Sequence, residues 1–208
     1  MSERRITPVA DNTDKQATYQ ELMRRYKKAM KDGFYFEAML IDYAMLEDRL
    51  RSMLYHAAFF ANRDAKGCWK KTKPYFTRFV QQYKRDSEKD TLGITNISEK
   101  IKIVRSMLRW VVEGDAVNQS DRYLKKLNYQ CESLDIGALF ETLDDIQDWC
   151  DYRNEIVHAL LNKNITGVYA ELEAQAENGM KYARVIDSQV RILKKGNIVR
   201  KSVNAPMI

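Results

Sequence analysis

Residues 151–158 read Asp-Tyr-Arg-Asn-Glu-Ile-Val-His, and three of them carry groups that can act on a phosphate. The guanidinium of Arg153 presents a fork of N–H donors that matches phosphate oxygens and can hold charge building on them. Asn154 follows at once and can orient either the phosphate or an imidazole. His158 stands five residues after the arginine. An imidazole changes charge close to neutral pH, so it can take a proton from an attacking hydroxyl or give one to a leaving oxygen. Which of the two His158 does stays open. One such group per chain is short of an acid and a base, a reason to expect two copies of the chain at one site.

These residues need a rigid support, and periodicity supplies one. A helix is predicted over about 136–161. At about 100° per residue, Ile146, Trp149, Cys150, Ile156, Val157 and Leu160 share one sector with Arg153 near its centre. An unpaired cation there costs several kcal/mol, so it requires a partner or a wet interface. A second helix, about 34–60, places Glu47 amid Phe36, Met39, Leu40, Tyr43, Leu50 and Leu54. Glu47 is therefore expected to face Arg153, either as a buried pair that sets helix register or as a support aiming Arg153 at a site. Asp151, Asn154 and His158 follow at spacings of three and four, which stacks them on one face. Arg153 lies about 140° around from His158, within reach of that face for a long side chain.

The pattern resembles the motif of the HEPN superfamily (higher eukaryotes and prokaryotes nucleotide-binding domains), in which an arginine is followed after four to six residues by a histidine. Arg153, Asn154 and His158 match its four-residue form, with a polar residue directly after the arginine. The resemblance implies a helical bundle and a metal-independent endoribonuclease, active as a homodimer whose two motifs share a cleft. It also implies a role as a toxin or in defence against phage; other members are inactive interaction modules. Cleavage would proceed by attack of the substrate's own 2′-hydroxyl, leaving a 2′,3′-cyclic phosphate and a 5′-hydroxyl. Arg153 and His158 would be catalytic, with Asn154 beside them and Glu47 and Asp151 in support. The implied partners are RNA, a second copy of the chain, and an antitoxin or regulatory protein; no cofactor or metal is implied. One branch of the family carries a tyrosine two residues after the histidine, where its nucleotidyltransferase antitoxin acts. Leu160 stands there, which argues against an antitoxin of that type. Arg51 and His56 repeat the spacing, but Ser52 follows that arginine and His56 points away from its helix's stripe, as a packed or solvated residue would.

The remaining chain reads as support. Eight glycines and three prolines in 208 residues are too few for a loop-rich or β-sandwich protein. Helices are predicted over about 15–31 (stopped by Gly33), after Pro74, from Asn96 and Glu99 as a capping pair, over about 119–130, and over about 168–194. The expected architecture is all-α: an antiparallel bundle with a small helical insert, one domain over 14–195, a loose arm at 1–13 and a flexible basic tail at 196–208. The charge of +6 permits a polyanionic partner without requiring one. Lys70, Lys71, Lys73 and Arg78, interleaved with Trp69, Tyr75 and Phe76, could follow an RNA backbone, although a short amphipathic helix with packed aromatics and a solvated basic rim is the simpler reading. Cys68, Cys131 and Cys150 lack C-x-x-C spacing and read as reduced thiols. No run of 18 apolar residues and no apolar segment behind Met-Ser-Glu-Arg-Arg suggest a cytoplasmic protein without membrane or secretory segments. Phosphate-loop, dinucleotide and serine-hydrolase motifs are absent. The competing reading is a non-catalytic helical module that binds a protein or nucleic acid.

Overall fold

The computed structural model describes residues 12–57, 96–113, 121–159, 165–196 and 198–199. Among them are six α-helices and no strand: α1 (Asn12–Asp32), α2 (Tyr35–His56), α3 (Ile97–Val112), α4 (Arg122–Cys131), α5 (Ile136–Ala159) and α6 (Ile165–Gly196). The chain is all-α, as its periodicity requires. The predicted helix after Pro74 and the basic residues Lys70, Lys71, Lys73 and Arg78 lie outside the described residues.

Local chemistry sets several helix ends. At the close of α1, Gly33 takes φ +78°, Phe34 N donates to Ala29 O at 2.8 Å, and Gly33 N donates to Met30 O at 3.4 Å. This is a Schellman turn, which favours glycine because a Cβ is strained at positive φ. Asn96 Oδ1 accepts from Glu99 N at 2.8 Å and starts α3. Asp121 starts α4 by accepting from Tyr123 N and Leu124 N, so that helix begins two or three residues later than the periodicity suggests.

Consecutive helices form antiparallel hairpins. Tyr19 of α1 reaches Asp48 of α2, while Asp135, Trp149 and Tyr152 around α5 meet Gln189, Gln175 and Glu171 of α6 in descending order. The two hairpins pack so that α2 and α6 run in the same direction: Tyr35 lies by Glu173, Asp42 abuts Gly179, and Arg49 pairs with Asp187. This is the most extensive contact among the described helices. The α3 helix also runs with α2, since Ile97 meets Tyr43 and Lys100 meets Glu47.

Because α1, α3 and α6 all pack on α2, its buried face is broad: Ala38, Met39, Met45, Leu46, Leu50, Met53 and Leu54 are covered. Its centre differs from the expected stripe. Leu40 is 40% exposed, whereas Asp42 is fully buried. At one end of the bundle α4 acts as a plug. Buried Gln130 donates to the carbonyls of His56 and Leu193 and accepts from Val199 N at 2.9 Å. Gly196 is still helical and Val199 is buried, so the packing extends beyond the expected start of a loose tail at 196. Likewise α1 begins at Asn12, within the expected arm.

Candidate functional site

Arg153 lies three-quarters of the way along α5, opposite Tyr43 of α2. Its guanidinium carbon is 4.3 Å from the Tyr43 ring centroid, and its Nη1 donates to Asn154 Oδ1 at 2.8 Å. The residue is half-buried, and its Nε has no hydrogen-bond partner among the described residues. Cation and ring attract through the ring's negative face, which offsets part of the desolvation that the apolar sector imposes.

The expected contact between Glu47 and Arg153 is not formed. Glu47 Oε1 accepts instead from Lys100 Nζ at 2.6 Å, and Lys100 is only 3% exposed. Two features explain the exchange. Tyr43 precedes Glu47 by one turn and its ring occupies the position facing Arg153. Lys100 falls among Ile97, Ile101, Val104 and Leu108 on α3, so it too is a cation in an apolar stripe and has the greater need of an anion. The same reasoning that singled out Arg153 applies to Lys100.

Asn154 and His158 are exposed on successive turns of α5, and Asp151 is exposed beside them. Asp151 accepts from Gln147 Nε2 through both oxygens at 3.1 Å, so it faces back along its own helix. Asn154 turns its oxygen to Arg153. Thus Arg153 and Asn154 act as a joined pair, held from below by Tyr43, with His158 one turn further on the solvent side. His56, in the competing Arg-x4-His match, is buried with its ring edge-on to Tyr55 at 5.4 Å, a packed residue.

Tyr43 is the residue that periodicity placed in the core but whose position gives it a role at this surface. Its hydroxyl lies near the backbone N–H of Ile97 at the start of α3, which favours the phenolate slightly. Burial raises the phenol's pKa first, Glu47 and Cys150 add to the rise, and Arg153 opposes it. The phenol therefore stays neutral, a stable platform for the cation. Cys150, one turn before Arg153, is buried and free, and burial pushes its thiol up to about 12. Cys131 is buried and free as well, its thiol also raised to about 12 by burial. Neither is a nucleophile under ordinary conditions.

Among the described residues, no three His, Cys, Asp or Glu side chains cluster so as to hold a metal ion, and no helix is long and apolar enough to cross a membrane. An open groove lined by Tyr26, Glu177, Met180, Lys181, Arg184 and Val185 belongs to α1 and α6, away from Arg153. No family model matches the chain, and no curated protein or solved structure matches it either.

Proposed function

We propose that the protein is a metal-independent endoribonuclease of the HEPN type, cytoplasmic and acting as a homodimer, in toxicity or phage defence. The observation that carries this reading is the state of Arg153: among the described residues no acidic side chain neutralises it, and it is stacked on Tyr43 and tied to exposed Asn154. A guanidinium held by a ring and an amide retains donors and charge for a phosphate.

In the proposed reaction the substrate's 2′-oxygen attacks phosphorus as the 5′-oxygen leaves. Arg153 and Asn154 hold the non-bridging oxygens and their developing charge. His158 of one copy takes the 2′-proton, and His158 of the second protonates the 5′-oxygen, so protons balance and no water is consumed in forming the cyclic phosphate. An antitoxin or regulatory protein would act by covering this face.

The test is cleavage of a mixed RNA substrate by purified protein in EDTA, with end-group analysis. Arg153→Ala and His158→Ala should each lower the rate by about 10²-fold or more, with unchanged circular dichroism. Full activity in His158→Ala would remove the mechanism. A second reading, a non-catalytic binding module, draws on Leu40 and Val157, each 40% exposed and one turn from Tyr43 and Arg153 respectively. It predicts no cleavage by the wild-type protein.

A further inference from the structure

Asp42 sits at the centre of the α2–α6 contact with no exposed surface, and neither carboxyl oxygen has a hydrogen-bond partner among the described residues. The surroundings are tight. A Cβ placed on Gly179 of α6 would lie 2.8 Å from Asp42 Oδ2, 2.9 Å from Asp42 Cβ and 2.7 Å from Trp149 Cζ2. The carboxyl is therefore wedged where α2, α5 and α6 meet, and glycine at 179 is what admits it. Donors stand close by but are committed elsewhere. Trp149 Nε1 donates to Gln175 O at 2.8 Å, and Tyr26 of α1 donates its hydroxyl to Ala176 O at 3.3 Å. A buried carboxylate without donors costs several kcal/mol, and proton uptake relieves most of that cost.

We propose that Asp42 is a proton-operated latch: neutral, it lets α2 close on Gly179 and Trp149, and its ionisation loosens that junction and the Tyr43–Arg153 stack one residue and one turn away. The latch does not depend on whether the protein cuts RNA. Every element packed on Asp42 contributes to its setting. From α6, Arg184 is the cation in electrostatic reach and favours the charged form, but it is exposed and screened. From α1, Tyr26 is pushed up to about 12, by burial first and then by Asp42 and Glu177, so it remains neutral beside the carboxyl. From α5 comes Trp149, which does not titrate. The flanking residues of α2, Ala38, Met39, Met45 and Leu46, are apolar and buried. Burial raises the Asp42 carboxyl to about 8, with Arg184 opposing.

The sign follows from linkage. A carboxyl raised in the folded state stabilises it below the unfolded value near 4 and loses that contribution as pH rises to the folded value. Three measurements on the full chain test the latch. In carbon-13 NMR of labelled aspartate in the wild type, the Asp42 carboxyl, assigned through its own Cα and Cβ, should titrate near or above neutral pH; titration in the ordinary range near 4 overturns the proposal. In urea unfolding, the unfolding constant of wild type relative to Asp42→Asn should rise by up to about tenfold per pH unit between about pH 5 and pH 8. Parallel pH profiles of the two proteins overturn it. Finally, amide exchange over 149–157, corrected for intrinsic pH dependence, should accelerate towards pH 8 in wild type and not in Asp42→Asn. Identical behaviour there would disconnect the junction from Arg153 and overturn the latch as stated.

Discussion

Arg153 and Tyr43 come from helices that meet antiparallel, and the guanidinium carbon lies 4.3 Å over the ring with no carboxylate opposite among the described residues. A cation–ring contact at a half-exposed position contributes about 0.5–2 kcal/mol. Tyr43→Leu should therefore lower the single-turnover rate of RNA cleavage by roughly 2- to 30-fold. Tyr43→Phe, which keeps the ring, should stay within about twofold of wild type. Equal rates for the Leu variant and wild type would mean that the ring does not aim the cation.

Lys100 and Glu47 provide a sharper energetic contrast. Lys100 is almost wholly buried while Glu47 keeps part of its surface in water. Removing the carboxylate takes away the anion 2.6 Å from a buried ammonium. Glu47→Gln alone should cost about 3 kcal/mol or somewhat less, because of that water access. Adding Lys100→Met should recover most of the loss in urea unfolding, a coupling that a double-mutant cycle measures directly. Glu47→Gln combined with Arg153→Met should instead be additive within about 0.5 kcal/mol. The reverse pattern of coupling would restore the Glu47–Arg153 pairing that helical periodicity suggests.

That contrast also marks what was legible in the chain. Gly33, Asn96 and the all-helical composition depend on contacts within a few residues, so their outcomes could be read directly. The α5 helix was legible for the same reason, whereas the bond between Arg153 and Asn154 was not foreseen. The partner of Arg153 was not. A helix packed on three sides, as α2 is, carries apolar residues over most of its circumference, and periodicity alone cannot tell its centre from its edges. Leu40, Tyr43 and Glu47 thus looked central, whereas the acidic side chain buried in α2 is Asp42, which lies between Met39 and Met45. Pairing between helices far apart in sequence is set by their relative rotation, and no local pattern encodes it.

Asp48, six residues beyond Asp42 on α2, should give the opposite pH response. Its carboxylate accepts from Lys15 Nζ at 2.7 Å and from Tyr19 Oη at 2.6 Å, and it pairs with Arg49. Arg49 in turn donates to Tyr19 Oη at 2.8 Å and to Asp187 at 2.9 Å, which ties α1, α2 and α6 together. Burial works to raise the Asp48 carboxyl, but the bonds from Lys15, Tyr19 and Arg49 outweigh it and hold it below its ordinary value. A depressed carboxyl contributes stability above the unfolded value near 4 and loses it as pH falls through the folded value. Asp48→Asn should therefore cost about 1–2 kcal/mol near neutral pH, and the difference from wild type should shrink below about pH 4. Thermal or urea unfolding across pH 2–8 reads this directly. Wild type, Asp42→Asn and Asp48→Asn should give three distinct profiles, with the Asp42 variant diverging on the alkaline side and the Asp48 variant converging on the acid side. A constant Asp48→Asn deficit down to the lowest pH would show that its neighbours do not favour the charged carboxylate.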